Sequence, residues 1–316
     1  MLSCREIKLE GEDWDTLISQ SSTASFFQTK KWLALWLKHF DGKSKIIGAF
    51  DKSDLIGIAP FHIKEGTISF LGTGAVLGKE LVSDFGDIIA PFGREKEVWE
   101  TVIKGIKNNE SEIRNIGLNF IREDSPSFKI LKELGGKAEE VDVAPYIDLP
   151  GSWDDYLMTL GRHDRHELRR KMRKLESGNA FKICTEGNGR DIDEFLRLMS
   201  LSNDQKRDFL SEKMRIFFTD IAKHFGLYKI LQLYFLKLNN INIAAVMTFK
   251  FKTELLLYNS GFDPEYSYLS PGLILKAFVI KQAIEGGLKK FDFLRGGEKY
   301  KYDLGGKERK LYKINI

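Results

Sequence analysis

Apolar and polar positions alternate along the chain in two groups of three runs, and each group reads as a β-meander. In the first, residues 45–50, 55–63 and 67–71 are separated by the polar turns Asp51-Lys52-Ser53-Asp54 and Lys64-Glu65-Gly66. In the second, residues 229–238, 243–251 and 254–259 are separated by Asn239-Asn240 and Lys252-Thr253, with richer β-branched and aromatic content. Each meander is followed by an irregular stretch with proline and glycine, an amphipathic helix and a short apolar strand. That change of period is expected where a sheet takes a crossover connection. The spacing predicts helices over 95–107, with Val98, Val102, Ile103 and Ile106 inward, and over 272–285, leading to strands at 115–121 and 290–294. The repeated order predicts a duplication, chance recurrence of a common motif being the alternative.

Between the halves, residues 143–151 carry Pro145, Pro150 and Gly151, which suit an extended connection better than a helix. A boundary near residue 150 gives an N-terminal domain of 1–150 and a C-terminal domain of 151–316. A chain of 316 residues is long enough for two such cores. One long helix is predicted from Ser152 to just before Gly178, with Trp153, Leu157, Leu160, Leu168, Met172 and Leu175 on one face. Helices over 191–201 and 211–225 follow, each opened by a residue that caps well.

The net charge of +4 is too small for a dedicated nucleic-acid binder, so any basic site must be local. Hydrophobic residues at 42% and charged residues at 30% fit a globular protein rather than a disordered or membrane-embedded one, and no membrane span is expected. Cys4 and Cys184 belong to no Cys-x-x-Cys or Cys/His cluster, so no metal is expected and a reducing compartment fits. Charge at Arg5 and Glu6, where a secretory signal needs apolar residues, makes the expected location cytoplasmic.

Three stretches carry candidate chemistry. Arg162, Arg165, Arg169 and Arg173 fall three or four apart on the helix after Ser152, a stripe able to bind phosphates or simply to be solvated. Ser270 and Pro271 stand where a helix cap and first helical residue belong, leaving outward amides that form an anion site or a plain cap. In the run 291–301, Asp292 and Arg295 sit where a sheet edge opens, as ligand groups or as a structural ion pair. The five histidines, His39, His62, His163, His166 and His224, show no nucleophile partner, and His163/His166 lacks a third metal ligand.

These residues carry a resemblance. The second half resembles the GNAT acetyltransferase family of the CelD type, associated with cellulose and exopolysaccharide biosynthesis. The likeness runs from Arg162-His163-Asp164-Arg165-His166 through Tyr258-Asn259-Ser260-Gly261-Phe262-Asp263 and Ser270-Pro271-Gly272 to Phe291-Asp292-Phe293-Leu294-Arg295-Gly296-Gly297-Glu298-Lys299-Tyr300-Lys301. The first half is similar in Ser25-Phe26-Phe27-Gln28-Thr29-Lys30-Lys31-Trp32, Gly57-Ile58-Ala59-Pro60 and Ser83-Asp84-Phe85-Gly86-Asp87. More distantly the chain is similar to Fem-type peptidyltransferases, tandem GNAT domains that add amino acids to cell-wall precursors from aminoacyl-tRNA. The resemblance implies an α/β (α+β) fold of two tandem GNAT-like domains, each a mixed, mostly antiparallel sheet flanked by helices. Residues 254–259 become the strand that splays from its neighbour, and the Ser270 loop the pyrophosphate-binding turn. Tyr268-Leu269-Ser270-Pro271-Gly272 stands where the family's Gln/Arg-x-x-Gly-x-Gly/Ala loop is expected.

The activity so implied is transfer of an acyl group to an amine of a polysaccharide, amino-sugar or other envelope intermediate. Acyl-CoA is the expected co-substrate, with an acyl-carrier protein or a tRNA as alternative donor; a non-catalytic binding protein is the further alternative. The chemistry needs a polarised carbonyl, a deprotonated amine and a protonated leaving group. Lys301 is the candidate for electrostatic stabilisation, Asp292 for a base or orienting group, and Tyr258 or Tyr300 for an acid. Asn259, Ser270 and Gly272 are the candidates for holding the cofactor. Lys31, Trp32, Asp84, Asp87 and Arg295 are the candidates for holding the acceptor, with core packing the alternative for Trp32 and local hydrogen bonding for the aspartates.

Overall fold

The structure is a computed structural model that describes residues 2–9, 13–40, 43–73, 82–109, 113–177, 181–186 and 189–316. The chain enters as β1 (Leu2–Glu6), α1 (Asp13–Gln20), α2 (Lys30–His39), β2 (Lys43–Asp51), β3 (Asp54–Lys64), β4 (Thr67–Phe70), α3 (Glu95–Asn109), β5 (Asn115–Arg122), α4 (Pro126–Glu133) and β6 (Lys137–Val143). It continues as β7 (Tyr146–Asp148), α5 (Trp153–Thr159), α6 (Arg162–Glu176), β8 (Phe181–Glu186), α7 (Ile192–Ser202), α8 (Asp204–Phe209) and α9 (Glu212–Gly226). The rest is β9 (Leu231–Leu238), β10 (Ile241–Phe251), β11 (Glu254–Phe262), α10 (Pro271–Glu285), β12 (Lys290–Asp292), α11 (Lys299–Asp303) and β13 (Lys310–Asn315).

These elements form two units, residues 1–143 with 309–316, and residues 144–308. Each holds one mixed sheet, ordered β1-β2-β3-β4-β5-β13-β6 in the first unit and β7-β12-β11-β10-β9-β8 in the second. Both sheets contain an antiparallel meander, β2-β3-β4 and β9-β10-β11, whose last strand pairs in parallel with the strand that follows a crossover helix. The repeated plan expected from the alternation pattern is present.

The single boundary expected near residue 150 differs from this division in both places. Residues 144–150 go with the second unit because β7 pairs antiparallel with β12, Ile147 opposite Phe291. Residues 309–316 go with the first because β13 lies between β5 and β6, with Leu311 opposite both Arg122 and Asp142. Each sheet is thus extended beyond its crossover strand by a segment from outside its own meander.

In the first unit, α3 lays Val98, Trp99, Val102 and Ile106 on the sheet, all buried, against Ile47, Phe61, Phe70 and Leu118. The four positions expected to face inward do so, with Ile103 the most peripheral at 8% exposure. In the second unit, α10 is buried nearly all round, from Ile274 and Leu275 through Val279 and Ile280 to Ile284, as befits a helix covered on both sides. The amphipathic reading of 272–285 therefore gives way to a central core helix. On the other face of the sheet, α7 crosses β11 so closely that a Cβ on Gly261 would overlap the backbone of Leu198 and Met199.

Local chemistry explains the other departures. The one long helix expected from Ser152 is two, α5 and α6, because Leu160 and Gly161 take extended ψ angles of 144° and 146°. Its expected stop at Gly178 lies outside the described residues. Pro271 is the first residue of α10 as expected, but Ser270 has φ +54° and its side chain makes no cap hydrogen bond. Among the described residues no helix is long and apolar enough to cross a membrane, and no group of three or more His, Cys, Asp or Glu side chains is placed to hold a metal ion.

Deleting residues 309–316 removes the strand between β5 and β6 and should strip hydrogen-exchange protection from both of those strands. Protection in β9–β11 is expected to persist, and equal loss in the two units would contradict the division.

Candidate active site

The second sheet parts at its parallel pair. β11 and β12 are registered at Glu254–Lys290, Leu255–Phe291 and Leu256–Asp292, and there the pairing ends. Two local features separate the strands. On β11 the register against β10 jumps between Thr248–Leu257 and Met247–Asn259, leaving Tyr258 as the extra residue of a bulge. Beyond β12, Asp292 Oδ1 accepts a hydrogen bond from Leu294 N at 2.8 Å, turning the chain so that Leu294 takes φ +58°. A left-handed leucine is strained, and strain of this kind is held only by surrounding contacts.

Lys301 supplies those contacts. Its ammonium donates to Leu294 O (3.0 Å), Arg295 O (2.8 Å) and Gly296 O (2.9 Å) and pairs with Glu298 at 2.9 Å. It is 1% exposed. The expected stabilising cation is therefore engaged in holding the 294–296 turn that forms one wall of the opening.

Two further lysines lie there that the sequence reading did not single out. Lys206, on α8, donates to Ser260 O, a carbonyl beyond the last β11–β12 pair. Lys276, on α10, is buried; it donates to Gly272 O at 3.3 Å and stands 4.4 Å from the centre of the Tyr300 ring. Burial, reinforced by the charges of Lys206 and Lys301 and opposed by Glu298, lowers Lys276 to about 7. Burial likewise lowers Lys206 to about 8, against the pull of Glu298. Burial and then Glu298 raise the Tyr300 phenol above its ordinary range. Glu298, the most exposed member, is held low by Lys301 despite partial burial. Lys276 had a sequence signal, a lone lysine inside the apolar run 273–280; Lys206, in the short polar helix α8, had none.

The remaining expected residues divide by location. Asp292, Arg295, Tyr300, Lys301, Gly272 and the Asn259–Ser260 bulge meet around the parting. Asn259 Oδ1 accepts from Ser260 N at 2.9 Å, which stiffens the bulge. Tyr258 instead packs its ring on Phe249 (5.1 Å) and Phe218 (5.9 Å), on the α9 side. In the first unit, Trp32 is fully buried among Phe26 and Phe27, its indole N–H donating to Ser83 Oγ at 2.8 Å. Asp87 accepts from Ser125 Oγ, Ser127 Oγ and Ile88 N, tying the 82–90 segment to the start of α4. Lys31 is exposed on α2 and Asp84 half-buried. On α6, Arg162, Arg169 and Arg173 are exposed and Arg165 is half-buried, while Lys174 donates to Tyr268 O at 3.0 Å.

Comparison with known proteins bears on this parted sheet. Residues 162–302 match the acetyltransferase (GNAT) domain family. FemX superimposes on the whole chain with a TM-score of 0.69 at 12% identity, covering 98% of this chain and 96% of its own. L-PGS from Bacillus licheniformis gives 0.59 at 11% identity, with coverages of 98% and 93%. A tandem GNAT protein from the clavulanic acid biosynthesis pathway gives 0.53 at 9% identity, with coverages of 99% and 98%. No curated protein matches significantly. The chain has the fold of a tandem GNAT protein, and residues 162–302 are similar to the GNAT acetyltransferase domain.

Asp87 yields a pH prediction. Burial raises its carboxyl to about 6, against the opposing pull of its serine partners and Arg122. The folded chain therefore holds this proton more tightly than the unfolded chain. The group's contribution to stability is greatest below about pH 4 and falls by on the order of 3 kcal/mol as pH rises to about 6. In urea unfolding from pH 4 to 7, Asp87→Asn is expected to lose this component, so that the difference between mutant and wild type grows in the mutant's favour with pH.

Proposed function

We propose that the chain is an N-acyltransferase whose reaction takes place where β11 and β12 part. The observation that supports this reading is the loss of pairing after three residues. It leaves the 259–262 backbone without a β12 partner, lined by Lys206, Lys276, Tyr300 and Lys301. An extended acyl donor can lie along such an edge by strand-like hydrogen bonding. The matched GNAT domain covers the same residues.

The chemistry assigned is attack of a neutral amine on the donor carbonyl. The N–C bond forms, the bond to the donor's leaving atom breaks, and the amine's proton passes to solvent or a nearby base. Backbone amides at the Tyr258–Asn259 bulge would polarise the carbonyl. Tyr300, kept protonated by burial, would donate to the departing thiolate of an acyl-CoA or acyl-carrier protein donor. Asp292 acts as an orienting group, since its carboxylate holds the Leu294 turn. Ser270, Gly272 and Asn259 border the donor's path. The acceptor we infer is an amine of a polysaccharide, amino-sugar or related envelope intermediate, as in CelD-type enzymes, approached by Arg295; in the first unit Trp32 and Asp87 are engaged in the core, which leaves Lys31 and Asp84 as the outward candidates there.

A second reading, an aminoacyl-tRNA-dependent Fem-type transferase, is favoured by the exposed Arg162, Arg169 and Arg173 on α6, the helix whose Lys174 ammonium lies 5.5 Å from the centre of the 63% exposed Tyr268 ring. A basic helix next to an exposed aromatic suits nucleic acid. Gel-shift titration of tRNA separates the two, since phosphate contacts weaken steeply with salt.

Incubation with acetyl-CoA or a longer acyl-CoA and a panel of amino-sugars, read by mass spectrometry, is expected to show N-acylated product. Lys301→Ala should cut kcat/KM by about 100-fold with the far-ultraviolet spectrum unchanged, the scale of a disturbed oxyanion environment. Full activity in that variant would remove Lys301 from the site, and absence of transfer with every donor would overturn the reading.

A further inference from the structure

The lysines around the parting differ in what holds them. Lys301 is 1% exposed and engaged by three carbonyls and Glu298. Lys276 is buried and bonded to Gly272 O within its own helix. Lys206 is half-buried and reaches from α8 to another element, donating to Ser260 O on β11, its one hydrogen-bond partner among the described residues. Ser202, the last residue of α7, meets the same edge further on, where Phe262 N donates to its Oγ at 2.8 Å. Side chains from α7 and α8 thus answer the β11 backbone beyond its last β12 pair at Leu256.

Ser260 directly follows the Tyr258–Asn259 bulge. An acyl donor lying along β11 with its carbonyl at that bulge therefore brings its reactive carbon beside the Lys206 amine. A lysine is a nucleophile only when neutral, and desolvation and neighbouring cations favour that form. Burial brings Lys206 down to about 8, against the pull of Glu298 and helped by Lys301. Lys276 is the other cation of the group, while the buried Asp292 carboxylate is turned to the Leu294 amide. At pH 7.5 an amine so placed holds on the order of 100 times more of its neutral form than an exposed lysine. The neutral amine still has a hydrogen to give Ser260 O, and its lone pair is then available to the donor.

We propose that Lys206 is a self-acylation site, to which the protein transfers the acyl group of its donor when no acceptor is bound. The assignment rests on the parting of β11 and β12 being the place of the donor. The bond from Lys206 Nζ to the acyl carbon forms, the C–S bond of an acyl thioester breaks, the amine loses one proton to solvent and the departing thiolate gains one. The products are an acyl-lysine amide and a free thiol. An amide is too stable to pass the acyl group on, so it accumulates as a mark rather than turning over. It also removes one of the positive charges that act on Lys276.

The test needs no acceptor. Full-length protein is incubated with acetyl-CoA between about pH 6.5 and 9.5, and the acetylation of each lysine is followed by peptide mass spectrometry. At pH 7.5 Lys206 is expected to react at least about tenfold faster than any exposed lysine, at a rate that saturates with acetyl-CoA and does not depend on protein concentration. That rate should level off above about pH 8, whereas exposed lysines continue to gain toward their ordinary value of about 10.4. Unreactive coenzyme A should suppress the mark at Lys206 and leave slow acetylation elsewhere unchanged. In Lys206→Arg the fast phase of mass gain by the intact protein should vanish, and its persistence would overturn the assignment.

Parallel incubations with added amino-sugars separate this site from the transferase reading. If the amino-sugars are acetylated while Lys206 is not, or is no faster than exposed lysines, self-acylation is overturned and the transferase reading stands. A fast, saturable mark at Lys206 with no transfer to any added amine supports the site and overturns the amino-sugar acceptor. If neither reacts, both fall.

Discussion

Three residues of parallel pairing, 254–256 against 290–292, are the constraint from which the site follows. Were the pairing longer, β11 and β12 would close over one another and the second sheet would offer no interior edge. It ends because each strand is bent by a local device, an inserted residue at Tyr258 on one side and an aspartate-capped left-handed turn on the other. Both devices are backbone features held by side chains. Asn259 braces the first, while Asp292 and Lys301 brace the second from opposite ends.

The opening is set in a conflict between packing and electrostatics. α10 is buried on nearly every side, as the core of the second unit requires, yet one of its inward positions is Lys276. An apolar residue there would pack at less cost, since a buried ammonium loses its hydration for a single long hydrogen bond to its own helix. Stability given up at one position in an otherwise apolar helix is the pattern expected where a site, rather than the fold, dictates the residue.

The meanders, the crossover helices and the doubled plan were legible because their periodicities are strong and local. The inward face of α3 could be read position by position from Val98 to Ile106. Elements defined by partners far along the chain were not. β7 and β13 are short segments whose strand character comes from β12 in one case and from β5 and β6 in the other. The break at Leu160 and Gly161 escaped notice because the apolar spacing runs straight through it. Around the parting of β11 and β12, Asp292, Arg295, Tyr300 and Lys301 are legible together as candidates because they are neighbours in sequence. Lys206 was missed because only the fold brings it to Ser260. The first-unit motif around Trp32 and Asp87 is a reminder that family-like residues can serve the core, for both are buried and hydrogen-bonded within their own unit.

The position of β13 has a bearing on how the molecule is made. During vectorial synthesis the first meander, α3 and β5 emerge early, but the strand that seats β6 beside β5 appears only after the second unit has been made. Until then the nascent N-terminal sheet carries a vacant slot with unsatisfied amides and carbonyls on β5, the kind of edge that invites mispairing with other chains. Synthesis of β13 after the whole second unit, rather than completion of the first 143 residues, is the event that closes that sheet.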